Sequence, residues 1–412
     1  MTPFELVAAL MTFVALAGWL NAKTLHMPHG VAMLLAGLVA AAALFALQGL
    51  VPQFEAIARY VNGIDFGSTV TGYMLAFLLF AGAMQVDLSE MRRRWLSIGA
   101  LATLGVAGSV AIVGVGLWFI AGRLGVPLPL SWALVFGALI SPTDPVAVLA
   151  TVRQVKLSKT LTVVLQGEAL FNDGVGIVAF TALAALAVGG AGVSPTQVVI
   201  DIVVQAAGGL VFGLAMSWLV IRLMGTLDDF AVEVSMSIAL AMGSYAAAQA
   251  LHLSGAIAVV GAGMLFGGTR AKQAMAGATE AYLMGFWTLV DEILNALLFL
   301  LLGVEMIAVP FFANQIGLLL AAIPIVLIAR FAVVLPWGSY FRFRHAERRP
   351  TLILGWGGLH GALSLALALS LPAGPQRALI LSITYAVVAF SITVQGLTFT
   401  PLVKWIERGA KT

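Results

Sequence analysis

Cysteine is missing from all 412 residues, and charge is scarce, with Asp, Glu, Lys and Arg together making up 9%. The first absence excludes a disulfide framework, a thiol nucleophile and a Cys-ligated metal. The second excludes an ordinary soluble domain, in which roughly 25% of residues are charged. The N-terminal stretch also lacks basic residues, the first being Lys23. The opening apolar run therefore lacks the charged start of a cleaved signal peptide and reads as a retained span. Low-complexity segments and long polar linkers are missing too, and only about ten residues follow the last apolar run. The expectation is therefore a single unit without a soluble regulatory domain.

What is present is apolar: 61% of residues are hydrophobic and the mean hydropathy is +1.05. This composition defines an all-α polytopic membrane protein. A membrane helix needs about 20 mostly apolar residues. That length predicts spans near 4–20, 30–50, 68–86, 95–121, 130–151, 160–188, 196–223, 230–251, 254–268, 282–304, 314–341, 351–371 and 376–403. These make thirteen.

The pI of 9.3 invites a nucleic-acid reading, but the loops explain it. Alternate loops hold Lys23; Arg92, Arg93 and Arg94; Arg153, Lys156 and Lys159; Arg222; Arg270 and Lys272; and Arg342, Arg344, Arg348 and Arg349. The C-terminal tail adds Lys404, Arg408 and Lys411 to the same side. The opposite side has Arg59, Arg123 and Arg377, and Arg330 lies inside a span. Seventeen basic residues against three is a positive-inside signal. It predicts a cytoplasmic C-terminus, an outside N-terminus and location in the cytoplasmic membrane, with lipid as the surrounding partner and no nucleic acid.

Two spans are interrupted. The fifth contains Ser141-Pro142-Thr143-Asp144-Pro145, and the twelfth contains Gly355-Trp356-Gly357-Gly358-Leu359-His360-Gly361. Proline removes a backbone donor and glycine loosens the helix. Unwound backbone at membrane depth is tolerated only where it is buried in protein or lines a cavity. The breaks lie seven spans apart, which fits two inverted repeats joined by the seventh span. Paired broken helices of this kind point to a transporter's binding site at the midplane.

Ionisable groups well inside spans are few: Asp144, Glu168, Asp173, Asp201, Asp291, Glu292 and Arg330, with His360 as a titratable neighbour. A charge at the bilayer centre costs about 2.5–3.5 kcal/mol on insertion scales, so each of these groups calls for a purpose. Glu168 and Asn172 share a helix face, whereas Asp173 is turned about 140° from Glu168. Arg330 keeps its proton and needs a carboxylate partner. Glu168 is the choice for that pair, which leaves Asp173 to face Asp144 across the broken fifth helix. Two carboxylates with carbonyls freed by a helix break suit a hard monovalent cation. The pair repels itself, so cation and proton compete for it, and alternating access turns the competition into exchange. Asp201, Asp291 and Glu292 read as structural or cavity-lining. His360 is either a proton relay or a backbone partner.

The residues Ser141-Pro142-Thr143-Asp144-Pro145-Val146-Ala147-Val148 and Gly167-Glu168-Ala169-Leu170-Phe171-Asn172-Asp173-Gly174 resemble the monovalent cation:proton antiporters, in the NhaP/NHE-type sodium/proton exchanger branch. Supporting matches are Asn295–Gly303, Ile328-Ala329-Arg330 and Gly357–Ser364. The resemblance implies a homodimer of thirteen-span chains, with a dimerisation part (1–90, 190–305) and a mobile core (95–188, 314–403). It implies that Asp173 is the main ion- and proton-binding carboxylate, that Asp144 and Thr143 assist in holding Na⁺, and that Asn172 orients the site. Glu168 would pair with Arg330, and His360 and Ser141 would modulate. Asn before Asp at 172–173 implies electroneutral exchange of one sodium for one proton. Two departures stand out: Ala169 where many relatives have Ser, and His360 where many have Arg.

The expectation is thus a secondary antiporter without a cofactor, moving Na⁺, or Li⁺ or K⁺, against H⁺. The alternatives are a K⁺/H⁺ antiporter and a channel or sensor on the same fold. An intramembrane hydrolase would want a Ser, His or metal constellation that His360 alone does not supply.

Overall fold

A computed structural model of the chain describes residues 3–47, 74–144, 157–189, 195–226, 229–268, 271, 279–305, 315–345, 347 and 349–408. Every regular element among them is helical and none is a strand. The reason is the solvent: in hydrocarbon a segment must satisfy its own backbone N–H and C=O groups, and the helix does so internally.

Helix α1 (Pro3–Leu20) runs into a π turn at Asn21–Leu25, and α2 covers His29–Leu47. Helix α3 (Leu75–Met84) is followed by the short α4 (Leu88–Arg93). Helix α5 (Trp95–Arg123) carries a π turn at Leu101–Gly105. Next come α6 (Leu130–Ile140), α7 (Lys159–Gly189), α8 (Pro195–Met224), α9 (Phe230–Ala250) and α10 (Gly255–Phe266). Helices α11 (Thr279–Glu305) and α12 (Ile316–His345) precede a broken pair, α13 (Pro350–Trp356) and α14 (Ala362–Leu369). Helix α15 (Pro375–Phe390) passes through a π turn, Ser391–Gln395, into α16 (Gly396–Arg408).

Helix lies on each stretch where the apolar runs predict a span, and most boundaries agree within a few residues. Among the described residues, eight helices are long and apolar enough to cross a membrane, and four more are shorter apolar helices. The chain is therefore a multi-pass membrane protein. The predicted stretches 68–73 and 145–151, with Pro145, lie outside the described residues, as do Arg59, Arg153, Lys156, Arg270, Lys272, Arg348 and Lys411.

Packing divides the helices into two sets. In one, α10 packs against α8, α3 and α9, and α11 runs along α2. At Gly213 of α8 an added Cβ would overlap the Ala258 carbonyl of α10, so these backbones touch and only glycine fits. Such close approach is a main source of helix association in lipid, where apolar side chains gain little by leaving one oily phase for another. An aromatic cluster fills this set: the rings of Phe80 and Trp287 lie 4.6 Å apart, and Trp287 Nε1 donates to Ser237 Oγ at 3.0 Å. In the second set, α5 packs on α6 and α12, and α12 on α13. Leu101, Val164, Leu354 and Phe399 form part of an apolar core beneath it. Helix α7 lies between the sets, touching α6, α13 and α14 on one side and α8 and α10 on the other.

Candidate functional site

The site begins where two helices stop. Helix α6 ends at Ile140 with Ser141 as its cap, and residues 142–144 continue without helical structure. Proline at 142 explains the stop: it has no N–H to give and clashes with the preceding turn. Ser141 is buried, and its Oγ donates to the Ala138 carbonyl at 2.8 Å, satisfying one of the carbonyls left over at a helix C-terminus. Helix α13 ends at Trp356, and α14 restarts at Ala362 after residues 357–361.

These two interruptions cross and bond to each other. The Asp144 N–H donates to the Leu359 carbonyl at 2.7 Å. His360 is buried, with its Nδ1 3.2 Å from the Pro142 carbonyl. A carbonyl only accepts, so Nδ1 carries a proton there. The His360 N–H donates to Ser391 Oγ at 2.8 Å, in the π turn between α15 and α16. Thr143 is tied to α7: Asn172 Nδ2 donates to Thr143 Oγ1 at 2.9 Å, and the Thr143 N–H points back at Asn172 Oδ1 at 3.4 Å. The unwound backbone is thus held from two sides, by α7 and by the second break.

Close approach makes glycine necessary at 361. A Cβ there would lie 2.7 Å from Asp144 Oδ2, so the Asp144 carboxylate rests against bare backbone at the start of α14. The positive end of that helix dipole faces the carboxylate and partly offsets its charge.

Asp144, Thr143 and Asp173 line one cavity, together with Pro142, Gln166 and Gly361. Leu75, Leu79 and Gln85 of the α3 region and Asp291, Asn295 and Leu298 of α11 form its other wall. Its volume open to water is about 100 Å³, against roughly 10–15 Å³ needed to hold one water. It is therefore roomy enough for several waters.

One turn away from the cavity, α7 presents a different chemistry. Glu168 is 2% exposed and Arg330 8%. Arg330 Nη2 donates to Glu168 Oε2 at 3.0 Å, Nη1 donates to Oε1, and Nη2 also reaches the Leu354 carbonyl at 2.9 Å. The fork ties α7, α12 and α13 together. An added Cβ at Gly358 would strike the Arg330 guanidinium, so this glycine makes room for it.

The sequence-predicted residues therefore separate into groups. Asp173, Asp144 and Thr143 share the cavity, with Asn172 behind Thr143. Glu168 meets Arg330. His360 and Ser141 hold backbone at the breaks and do not line the cavity. Ala169 is buried, and Asp201 and Glu292 lie on exposed helix faces. Sequence reasoning missed Gln85 of the cavity wall, and quoted Gln166, Asn295 and Ser364 only as parts of longer motifs. Asn295 stands four residues after Asp291, a same-face spacing that was available as a signal. It also passed over Glu233, which is fully buried in the first turn of α9.

A helical bundle whose carboxylates meet in a cavity where two broken helices cross defines a secondary transporter, not an enzyme. Comparison with known proteins gives the family. The profile of a family described as "Sodium/hydrogen exchanger, transmembrane" matches residues 10–405. The chain belongs to that family. It is 39% identical over 417 residues to the Na(+)/H(+) antiporter NhaP of Pseudomonas aeruginosa, covering 98% of this chain and 97% of that protein. It is 36% identical over 393 residues to the Na(+)/H(+) antiporter NhaH of Halobacillus dabanensis, covering 93% of each. In fold it matches the structure of the sodium proton antiporter MjNhaP1 from Methanocaldococcus jannaschii, with a TM-score of 0.73 at 18% identity over 98% of this chain and 99% of that one.

Proposed function

We propose that this chain exchanges Na⁺ for H⁺ across the cytoplasmic membrane by alternating access, one ion for one proton. Asp173 and Asp144 hold either the cation or a proton, and Thr143 adds a neutral oxygen. The observation that carries the reading is the convergence of Asp144, Thr143 and Asp173 on one cavity at the crossing of two helix breaks. The antiporter names of the full-length relatives support the same ions.

In this reading a hard cation prefers oxygen ligands, and two carboxylates near each other favour whichever positive ion is available, proton or sodium. Asn172 sets the rotamer of Thr143. The Glu168–Arg330 fork keeps α7, α12 and α13 in register, so the site travels as one body. His360 spends its backbone N–H and its Nδ1 on holding the breaks, which supports a positioning role over a proton relay.

We read thirteen spans in two inverted repeats, with the C-terminus in the cytoplasm and the N-terminus outside. The two packing sets support a mobile core (95–188, 314–403) working against a dimerisation part (1–90, 190–305). The exposed apolar side chains of α8, among them Val203, Val211 and Trp218, suit lipid or a second copy in a homodimer. The test is exchange in everted vesicles, read as cation-induced dequenching of a pH dye. Asp173→Asn is expected to abolish dequenching while the protein still assembles, and full activity in that variant would sink the proposal.

A further inference from the structure

The antiport reading assigns the cavity's broken-helix wall and leaves the opposite wall, on α11, without a task. That wall is polar at one place. Asp291, Asn295 and Leu298 follow one another at helical spacing and all line the cavity. Asn295 is 6% exposed, an amide buried among apolar neighbours. Its Nδ2 donates to Asp291 Oδ1 at 2.8 Å and to the Asp291 carbonyl at 2.9 Å. Both partners only accept, so the nitrogen of the amide must be the atom facing them, and both of its protons are spent. The orientation of the amide is thereby settled, and Oδ1 is left as an acceptor. Among the described residues no donor is bonded to it. A carbonyl oxygen without a donor next to a carboxylate, on the wall of a cavity shared with Asp144 and Asp173, is a ligand arrangement for a cation.

Resting on the antiport reading, we propose that Asn295 Oδ1 and the Asp291 carboxylate are cation contacts on the fixed wall of the ion path, and that they set its selectivity among monovalent ions. Helix α11 packs mainly along α2 and α3 and touches the crossing breaks only through α14. The pair therefore meets the ion as it passes between cavity and broken helices. Asp291 concentrates cations at that point. The carbonyl of Asn295, locked by its two donor bonds, stands at one fixed distance and so discriminates by ionic radius. Asp173 and Asp144 then supply the competition with protons, and α11 supplies the preference for the ion.

The test is transport by purified protein in liposomes, with half-saturating concentration and maximal rate measured separately for Na⁺, Li⁺ and K⁺. Asn295→Ala and Asp291→Asn are expected to raise the half-saturating Na⁺ by about tenfold, the effect of one lost charged contact. Maximal rate should stay within about twofold, the Na⁺/K⁺ preference should narrow, and Asp291→Glu should restore most of the affinity. An unchanged half-saturation, or a fall in maximal rate alone, would overturn the assignment. Melting with and without NaCl gives a second readout: Na⁺ should stabilise the parent more than either variant, and equal stabilisation counts against the proposal. If the parent moves no proton, the antiport reading fails, while the Na⁺-dependent melting shift still decides whether α11 contacts the cation.

Discussion

The pair that holds the core together offers the sharpest energetic test. Glu168 and Arg330 are both nearly out of contact with the surroundings, and Arg330 spreads its donors over two helices through Glu168 and the Leu354 carbonyl. Removing one partner strands a charge, which costs about 3–5 kcal/mol, whereas replacing both with apolar groups of similar volume is often near neutral. A loss of that size is a large part of the roughly 5–15 kcal/mol that keeps a protein folded. Glu168→Leu and Arg330→Met should each lower stability by about 3–5 kcal/mol, and the double variant should recover most of the loss. Melting in detergent, followed by the fluorescence of the nine tryptophans, measures all four proteins. Additive losses in the double variant would refute the reasoning, because they would mean the two side chains do not depend on each other. Transport adds a second reading: Glu168→Leu should lower stability far more than it changes the Na⁺/Li⁺ preference.

The remaining predictions concern the break and the ends of helices. Gly361→Ala puts a methyl 2.7 Å from Asp144 Oδ2; it should weaken Na⁺ affinity by about tenfold or more as the carboxylate is pushed off its place. Gly374→Ala, with open space around it, should transport like the parent. Asp87 caps α4 through the backbone N–H groups of Ser89 and Glu90, and the Ser89 hydroxyl holds its pKa down to about 2, with the Glu90 N–H and Lys159 adding to the effect. A carboxylate with a lowered pKa contributes stability above its ordinary value near 3.8 and loses it as pH falls towards about 2. Asp87→Ala should therefore cost about 1 kcal/mol as a lost cap at pH 7, equally at pH 6 and pH 8, and its stability should converge with the parent's only in strong acid.

The spans were legible because bilayer thickness dictates their length. The apolar run at 160–188 became Lys159–Gly189, and that at 230–251 became Phe230–Ala250. The two breaks were legible because proline at 142 and the glycines from 355 to 361 leave the backbone little choice. The meeting of Arg330 with a carboxylate was legible as well, since a buried guanidinium has few other ways to be satisfied. Its second acceptor, the Leu354 carbonyl, was not, because a backbone oxygen leaves no trace in residue identity. The π turns at Leu101–Gly105 and Ser391–Gln395 were equally silent: each inserts one residue into the helical register without any change in composition. The α11 wall was legible only in part: Asp291 read as structural or cavity-lining and does line the cavity, but its continuation through Asn295 and Leu298 was not seen. Which face of α11 looks into the cavity depends on how the helix is rotated against α2 and α3, and a chain apolar on most faces carries little periodicity to set that rotation. Glu233, three residues inside α9, was passed over because a charge near a helix start is ordinary, and only the structure reveals its burial.

In the proposed exchange, cation and proton take turns on the same carboxylates. Calorimetry of Na⁺ binding to the purified protein, repeated in two buffers of different ionisation enthalpy, measures the protons released. Binding to deprotonated ligands must expel any proton they carry. At a pH low enough for the empty site to hold a proton, about one proton should be released for each Na⁺ bound, with release and binding both lost in Asp173→Asn. Sodium binding that releases no proton at any pH would contradict the exchange.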